Sequence, residues 1–295
     1  MRCHHHHRKI PVFTLAVFLL LPLGLAAQIS DQAPVSTGIT SEAADRELFV
    51  AYLDGVMAAQ FNDFELAGVT LSIIRDGQPY YSRGYGVADI ESKEPVDPAV
   101  HLFRPGSVSK LFTWTAVMQL MEQGLLDLDT DINRYLTQFQ IPDTIDQPIT
   151  LQHIMTHTAG FEDGGFGYLF ADSPDDLRPL AEVLDTYRPE RVREPGVHSA
   201  YSNYATALAG LIVANVSGVP FEEYVARNIF TPLGMNNSTF DEPLPEHLAP
   251  DMAVGYAGRS GGLEAAEFEF IRNFGPAGAL SATADDMAKF MIAHV

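Results

Sequence analysis

The stretch FRPGSVSK (103–110) runs directly into LFTWTAVMQLMEQG (111–124). Gly106 suits the end of a loop and Ser107 the start of a helix, and Lys110 follows three residues later. At 3.6 residues per turn, positions i and i+3 share a face, so the Lys110 amine can reach the Ser107 hydroxyl. Spacing alone favours an N-cap serine followed by a surface lysine. The helix that follows reverses that preference. Leu111, Phe112, Trp114, Ala116, Val117, Met118, Leu120 and Met121 make it apolar nearly all round, which predicts burial, and Gly124 ends it. Burial disfavours an ammonium, so Lys110 is expected to carry a lowered pKa and to serve as a base. Ser107 lies at the positive end of the helix, where a developing alkoxide is stabilised. Together they form a serine–lysine version of an activated nucleophile.

A second constellation is Tyr201-Ser202-Asn203, in a loop after Pro195-Gly196 and before an apolar helix from Tyr204 to Val216. Taken alone, it reads first as an N-cap by Ser202 or Asn203. Tyr and Asn two apart can also point into one cleft. The phenol can then relay a proton, and the amide can hold a substrate carbonyl and the Lys110 amine. His153 and His157 stand at i, i+4 in HIMTHTAGF (153–161), a zinc-like spacing. No Glu follows His153 and no third ligand is evident, so they read as helix-end histidines that bond nearby backbone. No G-x-S-x-G and no Walker loop occur, and Gly84-Tyr85-Gly86 opens no helix, so a nucleophile elbow and nucleotide motifs are excluded.

Upstream, LAGVTLSIIRDGQPYYSRGYGVAD (66–89) predicts a hairpin. Val69, Leu71 and Ile73 alternate with Thr70 and Ser72, Asp76-Gly77 marks the turn, and Tyr80, Tyr81 and Tyr85 continue the second strand. Before it, Leu48, Tyr52 and Val56 recur every four positions, which predicts a helix from near Glu42. After Ser107 the pattern is mostly helical, with long Gly- and Pro-rich loops near 160–200 and 231–275. Arg259-Ser260-Gly261 reads as a loop. No internal repeat is visible.

The whole chain has 295 residues, 46% hydrophobic, with 18 basic against 38 acidic residues and a formal charge of −20. So acidic a chain repels phosphate, which excludes nucleic acid as a partner. The single cysteine, Cys3, allows neither an intramolecular disulfide nor a Cys-based zinc site. Residues 1–27 read as a signal peptide, with an uncleaved anchor as the alternative: Arg2, Arg8 and Lys9, an apolar run Ile10–Leu25, then Leu25-Ala26-Ala27. The run is short of the ~20 residues that span a bilayer. The mature protein is therefore expected to be secreted or periplasmic and, once the signal is cleaved, free of the membrane. Residues 28–41 read as a linker, and 42–295 as the domain.

These residues resemble the serine β-lactamase and penicillin-binding family, above all its branch of class C β-lactamases, D-alanyl peptidases and related esterases. FRPGSVSK resembles the nucleophile segment and YSN (201–203) the Tyr-x-Asn segment. HTAGF (157–161), IFTPLGM (229–235) and PAGALSATADDMAKF (276–290) are similar to further landmarks, in the family's order. The resemblance implies an α+β fold in which an antiparallel sheet lobe stands beside an all-helical lobe. It implies a serine hydrolase acting on esters, D-amino-acid peptides or β-lactams through an acyl-enzyme on Ser107. Lys110 and Tyr201 would form a proton relay, Asn203 would orient substrate, and the Ser107 N–H would give half of an oxyanion hole. No metal or organic cofactor is implied, and the partner is a small-molecule or peptide substrate. The alternative is a weak or inactive homologue that binds or senses cell-wall peptides. The family's third motif, Lys/His-Thr/Ser-Gly on a strand after the 276–290 segment, has no counterpart here. The expectation is therefore a fragment of a longer gene product, its sheet incomplete and the 66–89 hairpin left with an unpaired edge.

Overall fold

The computed structural model describes residues 42–162, 164, 169–259 and 262–295. The expected signal peptide and linker lie outside them. The chain divides into two units at Ala51 and Tyr52, and the second, Tyr52–Val295, is compact. Of the first, only 42–51 are described, and they are helical. These turns begin α1 (Glu42–Phe64), which continues into the second unit. The predicted helix therefore forms, but its Tyr52 and Val56 stripe is exposed.

The hairpin forms where the sequence places it. β1 (Gly68–Arg75) and β2 (Gln78–Asp89) pair antiparallel across a two-residue turn. Asp76 and Gly77 both take positive φ, +52° and +70°, the left-handed pair whose twist matches that of the strands. β3 (Glu94–Pro95) extends β2, giving the order β1-β2-β3. Among the described residues, no strand pairs with the other edge of β1. Beside β1, Ile74, Leu111, Met118 and Met291 help to line an open apolar recess.

The helical part follows. A 3-10 turn (Gly106–Ser109) leads into α2 (Lys110–Glu122). α3 (Leu151–Met155), α4 (Leu180–Thr186), α5 (Asn203–Ser217), α6 (Phe221–Val225) and α7 (Thr231–Leu233) come next, a π turn joining the last two. β4 (Ser238–Thr239) pairs with β7 (Ser281–Ala282). The supposed loop at 231–275 holds a second hairpin, β5 (Tyr256–Arg259) and β6 (Gly262–Ala265). α8 (Gly275–Gly278) and α9 (Ala284–Ile292) complete the order. Mixed helices and small antiparallel sheets make this an α+β fold.

α2 and α5 form the centre of the core. α5 is buried from Tyr204 through Val213, as its apolar sequence demands. α2 is not buried all round: Phe112, Thr113, Ala116, Val117 and Leu120 face inward, whereas Leu111 and Met118 are exposed. Phe112 stacks on Phe290 of α9 with ring centroids 3.8 Å apart, and meets the edges of Phe230 and Phe240. Those contacts fix the helix that follows the Gly106–Ser109 turn. Among the described residues no single helix is long and apolar enough to cross a membrane.

Candidate active site

Three pieces of backbone converge on Ser107. The first is its own segment, anchored by paired hydrogen bonds between Phe103 and Ala282 of β7 at 2.9 and 3.0 Å. Ser109, fully buried, donates to the Gly106 carbonyl at 2.6 Å and accepts from the Leu280 N–H at 3.2 Å. The turn around Ser107 is thereby held from below. The second piece is the N-terminus of α5. Ser202 is its N-cap and accepts from the Ala205 N–H at 3.0 Å, which leaves Tyr201 and Asn203 free to face the same way. The third piece is α8, drawn in because α5 carries Gly210 opposite Pro276. A β-carbon at 210 would stand 2.2 Å from the Pro276 Cγ. Thr113 of α2 donates to the Pro276 carbonyl at 2.7 Å and locks the same contact.

Lys110 occupies the junction. Only 4% of its surface is exposed. Its Nζ donates to the Ser107 Oγ at 3.1 Å, the Asn203 Oδ1 at 2.8 Å and the Ala277 carbonyl at 2.7 Å. Burial pushes the amine below the ordinary lysine value, and the neighbouring Tyr201 hydroxyl opposes that shift. The Tyr201 hydroxyl, for its part, donates to the Ser107 Oγ at 2.6 Å. The ammonium also lies 4.7 Å from the centroid of the Tyr201 ring. Ser107, Lys110, Tyr201 and Asn203 thus meet in one hydrogen-bonded cluster. Tyr201 is 46% exposed, so the cluster opens to solvent on the phenol side.

The two histidines do not share a ligand. The His153 Nδ1 accepts from the Thr150 N–H at 3.2 Å within a capping box. The His157 Nδ1 accepts from the Ser202 N–H at 3.3 Å. Each serves the backbone. Among the described residues, no group of three His, Cys, Asp or Glu is placed to hold a metal.

Sequence reasoning missed two contributors. The Ala277 carbonyl is a main-chain atom with no side-chain signature; the only hint was the PAGALS run (276–281). Arg104, three residues before Ser107, donates to the fully buried Glu242 at 2.9 Å. Glu242 also accepts from the Ile271 N–H at 2.6 Å. Burial pushes the Glu242 carboxyl up to about 7 although Arg104 opposes it. Nothing in the pattern around residue 242 marked a buried carboxylate.

A family model described as Beta-lactamase matches residues 52–295. The chain belongs to the beta-lactamase family. A beta-lactamase of Yersinia enterocolitica is 31% identical over 194 residues, covering 65% of this chain and 46% of that protein. Esterase EstB of Burkholderia gladioli is 29% identical over 228 residues, covering 71% of this chain and 56% of the esterase. The octameric penicillin-binding protein homologue of Pyrococcus abyssi superposes with a TM-score of 0.71 at 30% identity, over 82% of this chain and 55% of that one. This member of the beta-lactamase family spans about half the length of the curated relatives it matches.

Proposed function

We propose that this chain carries the nucleophile of a secreted or periplasmic serine hydrolase that acts on esters, D-amino-acid peptides or β-lactams. The single observation behind this reading is that two proton-transfer groups, the Lys110 amine and the Tyr201 hydroxyl, lie at 3.1 and 2.6 Å from one serine oxygen. Lys110 and Tyr201 act as one coupled relay. In the form of the pair that lacks one proton, the relay takes the Ser107 proton as Oγ attacks the substrate carbonyl. The same pair returns that proton to the leaving group. An ester bond forms between Ser107 and the acyl group, and the leaving group departs with the proton. Water then attacks the acyl-enzyme, and Ser107 is regenerated. Asn203, held by Lys110, presents its amide to the substrate. The relay needs no metal or organic cofactor.

The family relatives named beta-lactamase and esterase support the choice of substrate classes, and the basic-apolar-small N-terminal sequence supports export. The test is active-site labelling of the full-length protein with a fluorophosphonate and with a fluorescent penicillin, followed by peptide mapping. A stable adduct on Ser107, lost in Ser107→Ala, is the expected result. Binding of cell-wall peptides without any adduct, unaffected by Ser107→Ala, would replace the hydrolase with a sensor.

A further inference from the structure

The hydrogen bonds to the Ser107 hydroxyl come from Lys110 and Tyr201, but the phenol is half-exposed and needs a support of its own. His157 stands behind it. The imidazole lies 4.6 Å from the Tyr201 ring, centroid to centroid, tilted by 36°. The edge of Trp114 meets the same imidazole at 6.2 Å. The His157 Nδ1 accepts from the N–H of Ser202, and the His157 carbonyl accepts from the N–H of Ala200 at 2.7 Å. One residue therefore grips the chain on both sides of Tyr201 and also touches its ring.

The backbone of His157 is left-handed, with φ of +56°, a conformation that a non-glycine residue adopts at an energetic cost. That turn is what brings its carbonyl and its ring to the same neighbour. Burial, and then the charge of Lys110, push the imidazole below the ordinary histidine value. A neutral ring can keep Nδ1 as an acceptor with its proton on Nε2, which an imidazolium cannot.

We infer that His157 is a positioning residue, holding the Tyr201 phenol on the Ser107 hydroxyl by ring contact and by anchoring the backbone of residues 200–202. The inference rests on the hydrolase reading above. His157→Asn tests it in the full-length protein, because Asn tolerates the left-handed backbone and can still accept from Ser202, but has no ring. Acylation of Ser107 by the fluorophosphonate is followed over probe concentration, separating the saturating rate from the half-saturation concentration. The saturating rate is expected to fall ~10- to 100-fold, the size of effect that small misplacements of reacting groups produce. Half-saturation and melting temperature should stay near wild type. In a Tyr201→Phe background the same substitution should change the rate less than about twofold, because coupled residues do not add. An equal slowing in both backgrounds, or none beside an intact Tyr201, overturns the inference.

A measurement on the wild type removes any dependence on variant folding. Nitrogen NMR of the imidazole should show the neutral Nε2–H tautomer at neutral pH; an Nδ1–H tautomer or an imidazolium overturns the role. No adduct in the wild type, together with the neutral Nε2–H ring, defeats the hydrolase reading, and the His157 role falls with it. An adduct in the wild type with either contrary result above defeats the His157 role alone.

Discussion

Replacing Lys110 by alanine separates chemistry from stability. The substitution removes an amine that touches the Ser107 hydroxyl, an amide of α5 and a carbonyl of α8. For stability, two effects oppose. A buried ammonium is taken away, which relieves its desolvation. The Ala277 carbonyl loses its partner, and one unsatisfied buried acceptor costs ~1–3 kcal/mol. The Asn203 side chain is only partly buried, so its amide can find water as a partner. The net loss should be no more than about 2 kcal/mol, or roughly 4–8 °C in melting temperature for a domain of this size. For chemistry nothing offsets the loss: a positioned proton acceptor contributes ~10²–10⁴-fold. Fluorophosphonate labelling of the full-length protein, beside a calorimetric melt, reads both quantities. Acylation within about threefold of wild type, in a protein that melts near the wild-type temperature, would show that Lys110 is a structural pin and that the proton goes elsewhere.

Three further outcomes follow from the same contacts. Acylation should rise with pH as the Lys110–Tyr201 pair loses its proton, and the rise should begin below the ordinary lysine value because burial depresses the amine; a stopped-flow pH profile that is flat from pH 6 to 10 contradicts this. Glu242, raised from 4.5 to about 7, binds more protons folded than unfolded across that interval, so its contribution to stability falls as pH rises from about 4.5 to 7. Urea melts of Glu242→Gln should lack that component, on the order of 3 kcal/mol, and identical pH slopes in the two proteins would refute it. Gly210→Ala should overpack the α5–α8 contact by ~1–3 kcal/mol and slow acylation as well, since the carbonyl that holds Lys110 sits on α8; a melt and a labelling rate both at wild-type values would show that α8 can give way freely.

Much of the hydrogen-bonded cluster was legible because its members sit in short local patterns. Ser107 and Lys110 are one helical turn apart, and the spacing of Tyr201 and Asn203 around an N-cap serine is likewise local. The Asp76-Gly77 turn was legible for the same reason: only left-handed residues close so tight a hairpin. What the sequence concealed is long-range or main-chain. The Ala277 carbonyl has no residue signature, and the Arg104–Glu242 pair is separated by 138 residues. The apolar count of α2 overstated its burial, since composition does not say which side a neighbour covers: Leu111 and Met118 remain exposed. The β5–β6 hairpin hid in a Gly-rich stretch whose alternation is weak. The two histidines bond backbone N–H groups as their sequence suggested, but the His157 partner, Ser202, lies 45 residues away and no local pattern showed it.

The Lys110 amine finds one acceptor 93 residues further along the chain and another 167 residues further along. During synthesis the hydroxyl and the amine therefore emerge long before the groups that hold them still. A ribosome that has released the chain only through α4 has made Ser107 and Lys110 without their partners, because the phenol, the amide and the α8 carbonyl are all still to come. On the proposed mechanism, the Ser107 hydroxyl and the Lys110 amine gain these partners only once α5 and α8 have docked.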